Sequence, residues 1–194
     1  RFDNVSFTYP GAAVPAVSNL TFEVKAGSSL AITGRTGSGK STVAALMLRM
    51  YDPDSGTILA DGKQLSHIDL HQFRSQTGYV PQEVFLFSDT IANNIAFGVA
   101  DQSDREQLLE RIRSAASDAA ILSNINELPA AFETMVGERG ITLSGGQKQR
   151  VSIARAIIRN PSLLIFDDCL SAVDTRTEEE ILRNLKRIME KRTT

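Results

Sequence analysis

The residues with the clearest chemical role form a glycine-rich loop at positions 34–41, with the sequence G-R-T-G-S-G-K-S. This loop matches the full pattern G-x-x-x-x-G-K-[ST], in which backbone N–H groups form a nest for phosphate oxygens. The lysine supplies a positive charge to β- and γ-phosphates, and the final hydroxyl is a ligand for Mg²⁺. A glycine-rich turn that binds nothing is the alternative, and the completeness of the pattern disfavours it. The predicted ATP-binding residues here are Gly34, Thr36, Gly37, Ser38, Gly39, Lys40, Ser41 and Thr42.

A metal–phosphate site also needs an acidic residue at the end of a buried strand. The nearly wholly apolar run at 162–166 ends on Asp167 and has the profile of a central parallel strand. Taken alone, an aspartate at such a place is more often a helix N-cap or a turn residue than a metal ligand. Beside a complete phosphate loop, we interpret Asp167 as a second magnesium ligand.

A third motif, L-S-G-G-Q at positions 143–147, precedes this acidic strand. By itself it could be a helix start with a serine cap. In this order with the other two motifs, it resembles the signature of the ABC ATPases, and the resemblance covers essentially the whole chain. The resemblance implies that Ser144, Gly145, Gly146 and Gln147 contact ATP.

The resemblance assigns roles to further positions. Tyr9 matches the aromatic residue that stacks on adenine, and a half-exposed strand tyrosine is the alternative. Gln82 matches the glutamine that reaches Mg²⁺ and couples the nucleotide site to the membrane domain. The loop at 171–174 resembles the one that contacts the opposite monomer. Family members form head-to-tail dimers in which each site combines the phosphate loop of one domain with the signature of the other.

Three segments resemble the exporter branch of the family. Residues 134–140, T-M-V-G-E-R-G, are similar to a segment that contacts the intracellular loops of transmembrane helices, although a glycine-rich surface turn would look alike. Residues 85–88 and 90–95 are also exporter-like. The resemblance therefore implies a transmembrane domain in the same full-length chain, and a place at the cytoplasmic face of the cell membrane.

One departure from the family pattern concerns catalysis. The residue after Asp167 is normally the glutamate that orients or activates the attacking water, and here it is Asp168. The shorter side chain withdraws the carboxylate by roughly 1.5 Å, about one C–C bond, and predicts slow hydrolysis at an otherwise intact ATP site. In the family that the chain resembles, heterodimeric exporters often pair one competent site with a degenerate site that has aspartate at this position. Since the signature here is unaltered, the resemblance implies the degenerate half of such an exporter. A fully active homodimer that tolerates aspartate is the alternative.

Two other classes of function were weighed against the exporter. A soluble ABC ATPase of DNA repair or translation is disfavoured, since the chain has net charge −2 and no coiled-coil insertion between phosphate loop and signature. A nucleotide-binding regulatory module without turnover is close to what Asp168 suggests for this one site.

The elements that must position these residues follow from periodicity. Alternating apolar residues before position 25, and again at 57–60 and 77–80, predict strands, and 30–33 reads as a buried strand entering the phosphate loop. Helices are expected from position 40, and over 67–74, 103–126, 147–159 and 177–191. This order predicts an α/β fold, and the resemblance implies a P-loop NTPase (RecA-like) core with an N-terminal antiparallel β-subdomain and an inserted α-helical subdomain. We expect core at 1–82 and 158–194, and the helical subdomain at 83–157.

Composition fits one globular domain. The chain has 194 residues, 42% of them apolar, and its single cysteine, Cys169, excludes an internal disulfide. No apolar run approaches the ~18 residues that cross a bilayer. Both ends look cut, so we expect a fragment whose C-terminal strand, helices and switch histidine are missing and whose own ATPase activity is weak.

Overall fold

The computed structural model describes residues 1–137, 143–170, 172–190 and 192–194. The chain divides into two compact units. The first comprises residues 1–74 with 193–194, and the second comprises residues 75–192.

The first unit is built on an antiparallel sheet of four strands. These are β1 (Phe2–Phe7), β2 (Val17–Phe22), β3 (Ser55–Ala60) and β4 (Lys63–Gln64), in the order β2-β1-β3-β4. Phe2, Val5 and Phe7 of β1 are at most 4% exposed, so one face of the sheet is the core face. The predicted antiparallel strands with one buried face are confirmed.

Helix α1 (Lys40–Met47) packs against this sheet through Val43 and Leu46. A short 3-10 turn at Leu65–His67 and helix α2 (Leu70–Ser75) follow β4. The helix predicted after the phosphate loop therefore begins at the lysine of that loop, as the motif requires.

The strand predicted at 30–33 is wrong. Leu30 and Ile32 are each 42% exposed, and the segment has no strand assignment. The Leu30 N–H donates to the carbonyl of Thr194 and the Thr194 N–H donates to that of Ser28, at 2.9 and 3.1 Å. An apolar run becomes a buried strand only when neighbouring strands and covering helices enclose it, and four residues do not encode that enclosure.

The second unit contains a parallel pair of strands, β5 (Thr77–Val80) and β6 (Leu163–Phe166), paired in register from Thr77↔Leu163 to Val80↔Phe166. Leu164 and Ile165 are 0% and 7% exposed, which confirms a buried parallel strand before Asp167. Five helices complete the described part of this unit: α3 (Ile91–Ala96), α4 (Arg105–Asp118), α5 (Leu122–Asn126), α6 (Gly145–Ile157) and α7 (Thr175–Met189).

The helical stretch predicted over 103–126 is two helices. Ala120 adopts φ 53°, a left-handed conformation, and the Ile121 N–H donates to the Ala116 carbonyl at 2.9 Å. This is the hydrogen bond of a helix C-terminal cap, which usually has glycine at the left-handed position. Because alanine and not glycine occupies position 120, the sequence pattern does not indicate the break between the two helices.

Among the helices of the described residues, none combines the length and apolar character needed to cross a membrane.

Candidate nucleotide and catalytic site

The phosphate loop folds around its own lysine. The Lys40 ammonium donates to the carbonyl oxygens of Gly34 and Arg35 at 2.9 and 3.0 Å. Gly37 and Gly39 adopt φ of 79° and 88°, and a Cβ added at Gly39 would lie 2.4 Å from the Ala16 carbonyl oxygen. Glycine is therefore required at position 39, both by its backbone torsion and by the close approach of another backbone segment.

The loop runs directly into α1, whose first intrahelical bond is Val43 N–H to Gly39 O at 3.0 Å. The N–H groups of the first turn have no acceptor within a helix, so they point toward whatever lies at its N-terminus. Together with Lys40, they form a site suited to an anion.

Tyr9 lies beside this helix, just after β1. Its hydroxyl is 3.1 Å from the Thr42 hydroxyl, and its ring packs edge-on against Tyr51 at 5.3 Å between centroids. These contacts fix the partly buried ring next to the phosphate loop. The stacking of Tyr9 on adenine stays a prediction.

The two carboxylates follow β6 in the second unit. The Asp167 N–H donates to the Val80 carbonyl at 2.9 Å, which extends the pairing of β6 with β5. Gln82, two residues after β5, places its amide Nε2 3.4 Å from Oδ2 of Asp168. The carboxyl ends of two adjacent parallel strands thus bring together Gln82 and Asp168, which are far apart in sequence.

Asp168 is exposed and adopts φ 47°. A left-handed backbone at a non-glycine residue is uncommon and concentrates at functional sites, although aspartate tolerates it better than most residues. Nearby, burial raises the pKa of the Tyr79 hydroxyl, and the charge of Asp167 raises it further. Two adjacent carboxyl groups, those of Asp167 and Asp168, thus follow β6.

The signature residues form the first turn of α6 with a reciprocal cap. The Ser144 hydroxyl accepts from the Gln147 N–H at 3.2 Å, and the Ser144 N–H donates to the Gln147 side-chain oxygen at 2.9 Å. This capping box satisfies two backbone donors and fixes the helix start. The motif is thus a capped helix start, as the alternative interpretation had it. A capped helix start does not exclude a role in binding.

The signature turn rests on the loop that follows Asp168. A Cβ added at Gly146 would lie 2.7 Å from the Ala172 carbonyl oxygen, and the Ala172 N–H donates to the buried Gln149 side chain at 3.2 Å. Further along that loop, Asp174 caps α7 by accepting from the Thr177 N–H at 3.1 Å. Hydrogen bonds to Thr177 lower the pKa of Asp174, so this cap is ionised at neutral pH.

The exporter-like segments lie together where they are described. The Ile91 N–H donates to the Thr134 carbonyl, and the Val136 N–H donates to that of Asp89, each at 3.0 Å. The remaining part of the segment at 134–140 (Glu138, Arg139 and Gly140) lies outside the described residues, as does Ser171 of the loop at 171–174.

Sequence reasoning missed Asn94 and Arg155. Asn94 is 1% exposed, and the Arg155 guanidinium donates both to its backbone and to its side-chain oxygen at 2.8 Å. Thr90, whose hydroxyl accepts from the Asn93 N–H, was the available signal for the missed helix α3.

The predicted magnesium ligands offer donors of the right kind. Ser41 contributes a hydroxyl at the start of α1, and Asp167 and Gln82 contribute a carboxylate and an amide oxygen after β6 and β5. Hard oxygen donors with few carboxylates are what Mg²⁺ takes at a nucleotide site. Each of these three groups is thus an oxygen donor of a kind that Mg²⁺ takes.

A complete phosphate loop at the head of a helix, a carboxylate at the end of a buried parallel strand and a capped signature turn together define an ABC-type ATPase domain, and the chain belongs to the ABC transporter family. The family model for ABC transporters matches residues 17–171. The antiparallel β-subdomain, the α/β core and the helical part are the fold expected from the sequence.

Particular relatives are similar over the whole chain. It is 45% identical over 193 residues to the ATP-dependent lipid A-core flippase of Escherichia coli (strain K12), and equally to that of Shigella flexneri. A solved structure, described as a bacterial Atm1-family ABC exporter with ATP bound, matches all of the chain at 47% identity with a TM-score of 0.91. The chain spans about a third of these relatives, 32% of the flippases and 33% of the exporter chain.

Proposed function

We propose that this chain is the ATP-binding domain of an ABC exporter, which dimerises around ATP to drive export of a substrate across the cell membrane. The observation that carries the proposal is the phosphate loop folded around Lys40, with Gly39 held against a neighbouring backbone segment. The relatives, of which the chain spans about a third, support a transmembrane domain in the rest of the protein and a cytoplasmic position for this domain.

In this proposal different residues of the chain bind different parts of ATP. The N–H groups of the loop and Lys40 hold the phosphates, and Tyr9 stacks on the base. Mg²⁺, when bound, neutralises charge on the β- and γ-phosphate oxygens. Ser41, Gln82 and Asp167 would hold it. Asp168 orients the attacking water, and its hydrogen bond to Gln82 supports this place near the reacting atoms.

The signature turn serves the other site of the dimer. Ser144 and the N–H groups of Gly145 and Gly146 lie at the positive end of α6, which favours the γ-phosphate of an ATP held by the opposite domain. Contact between Gly146 and Ala172 supports a rigid junction between this turn and the loop proposed to face the opposite monomer.

We further propose that this domain's own site hydrolyses ATP slowly and that its partner is a different ABC domain. Displacement of a catalytic group by about 1 Å costs on the order of a hundredfold in rate, and aspartate shortens the reach of the carboxylate by more than that. The signature is unaltered, so the partner's site receives a complete set of residues. If the full-length protein, purified alone, forms homodimers with vigorous ATPase and transport activity, the heterodimer proposal is wrong.

The contact with the transmembrane domain is proposed at the exporter-like segments 85–88 and 90–95, at Phe97 beside them, and at the described part of 134–140, residues 134–137. Phe85, Phe87 and Phe97 are 69%, 37% and 54% exposed, and we call these three rings the aromatic surface. Exposed rings grouped on one surface are typical of an interaction site.

A binding titration tests the core of the proposal. Lys40→Ala removes the charge at the phosphates, and since a hydrogen bond to a charged group contributes about 1.5–3 kcal/mol, the ATP affinity should fall about ten- to a hundredfold. Lys63→Ala, on the exposed strand β4, is the matched control and should bind ATP as the parent does. Equal affinity in parent, variant and control would contradict ATP binding at this loop.

A further inference from the structure

One buried side-chain amide, that of Asn94, makes several hydrogen bonds within the segment that carries the aromatic surface. The Asn94 Oδ1 accepts from the Phe87 N–H at 2.9 Å, and its Nδ2 donates to the carbonyls of Phe87 and Thr90, both at 3.0 Å. With only 1% of its surface exposed, the Asn94 side chain supplies an acceptor to the Phe87 N–H and a second donor to the Phe87 and Thr90 carbonyls, which also accept from the backbone N–H groups of Asp89 and Asn94. The loop from 87 to 90 is thereby tied to α3.

Arg155, on α6, joins the two ends of this segment. Its Nε donates to the Asn94 carbonyl at 2.8 Å, and one terminal nitrogen donates to the Asn94 Oδ1 at 2.8 Å. The other terminal nitrogen donates to the Phe85 carbonyl at 2.9 Å. A planar guanidinium fork can make three such bonds at fixed angles, and an ammonium cannot.

The same guanidinium lies against the faces of two of the rings, those of Phe87 and Phe97. Its central carbon lies 5.5 Å from the centroid of Phe87 and 6.0 Å from that of Phe97, and those two rings are 4.5 Å apart. Distances up to about 6 Å are in the range of cation–π attraction. Phe87 also meets Phe85 edge-on at 5.2 Å. All three rings of the aromatic surface therefore depend, directly or through Phe87, on the position of Arg155.

The charge of Arg155 is balanced by carbonyl oxygens and ring faces. Among the described residues, no carboxylate lies within salt-bridge distance of it. Burial lowers its guanidinium pKa, but an arginine stays charged at any physiological pH. A partly buried cation without a carboxylate partner is costly for stability alone, and this points to a role in function.

We infer that Arg155 is a positioning residue for coupling, whose guanidinium fixes the aromatic surface in the shape that the transmembrane domain contacts. The inference rests on the proposed function, because that proposal makes the aromatic surface a contact with the transmembrane domain. Arg155 itself touches neither ATP-binding loop nor signature residue in the described hydrogen bonds. Its loss should therefore change coupling and spare ATP affinity.

The experiment compares Arg155→Lys with Arg111→Lys in the full-length protein. Arg111 is also partly buried and donates to a backbone carbonyl, that of Ile158 at 3.1 Å, but has no part in the aromatic surface. Hydrogen exchange of amides 85–97 should become about tenfold faster in Arg155→Lys, which corresponds to about 1.4 kcal/mol. The control should leave these amides unchanged.

The second readout is the hydrolysis of Mg-ATP by the same full-length variants, each assembled with its partner. We expect kcat to fall at least about fivefold in Arg155→Lys with KM for ATP unchanged, since the loop and signature are intact. Unchanged exchange at 85–97 overturns the inference, and so does faster exchange with unchanged kcat. If the parent transporter, assembled with its partner, shows no ATPase activity, the proposed function fails, whereas the exchange comparison still decides the role of Arg155.

A second variant covers the case in which Arg155→Lys does not fold. Phe87→Leu keeps the three hydrogen bonds of Arg155 and removes one of its two rings. The same amides should exchange faster by a smaller factor, roughly threefold, and kcat should fall in the same direction. No change in either measurement would overturn the inference.

Discussion

Replacing Gly146 with alanine should disturb the junction between the signature turn and the loop at Ala172, whereas the same change at Gly145 should not. The two glycines are adjacent, and both lie in the first turn of α6. A Cβ at Gly146 would meet the Ala172 carbonyl oxygen at 2.7 Å, but a Cβ at Gly145 meets only the Ala172 side chain at 3.5 Å, an ordinary contact. The pair separates steric contact from every property that the two positions share.

The magnitude follows from two opposing effects. Alanine is favoured over glycine in a helix by up to about 1 kcal/mol. Forcing a methyl group into a packed backbone contact costs about 1–3 kcal/mol. Gly145→Ala should therefore leave stability unchanged or raise it by up to about 1 kcal/mol, and Gly146→Ala should lower it by about 0–3 kcal/mol. The expected difference between the two variants is about 1–3 kcal/mol.

Guanidinium chloride unfolding followed by circular dichroism measures this difference, with equal slopes indicating that the unfolded states are comparable. Exchange of the Ala172 amide, which is bonded to Gln149, gives the local readout and should become faster only in Gly146→Ala. Equal midpoints and equal exchange in the two variants would refute the claim that the Gly146–Ala172 contact fixes the signature turn.

Two further predictions concern other parts of the chain. Burial raises the pKa of the Cys169 thiol to about 12, so a disulfide reagent at pH 8 should label the native chain very slowly and the unfolded chain at once. Because the unfolded thiol ionises near pH 8.5 and the folded thiol does not, stability should fall as pH rises above that value, and Cys169→Ala should lose this slope. Tyr9→Ala should weaken ATP binding about tenfold or more through lost stacking, whereas Tyr9→Phe, which loses only the bond to Thr42, should bind nearly as tightly; equal losses in both would assign the effect to the hydroxyl.

Local sequence patterns predicted the elements whose boundaries are determined by neighbouring residues. The alternation at Phe2, Val5 and Phe7 predicted β1, because a strand face is set within a few residues. The helix predicted over 147–159 begins two residues earlier, at Gly145, where Ser144 caps it as in the alternative interpretation of the signature motif. The break at Ala120 was missed since alanine occupies a position that usually signals itself with glycine.

The site was predictable to a different extent in its two parts. The phosphate loop is one contiguous segment, so its sequence motif was enough to predict its backbone geometry. The approach of Gln82 to Asp168 depends on the pairing of β5 with β6, and the family resemblance indicated it where spacing could not. The contacts of Arg155 could not be predicted from the sequence, because most of them are made to backbone carbonyls, which every residue has.

The most direct test of the account is the single-turnover rate of ATP hydrolysis at this domain's own site, in the assembled full-length transporter, for the parent and for Asp168→Glu. The account predicts that the longer carboxylate raises the rate constant by at least about tenfold and leaves ATP affinity unchanged, because only the reach of the carboxylate differs. An equal rate in both proteins, with the parent already hydrolysing its bound ATP rapidly, would contradict the claim that the phosphate loop at 34–41 holds ATP in a site that hydrolyses it slowly.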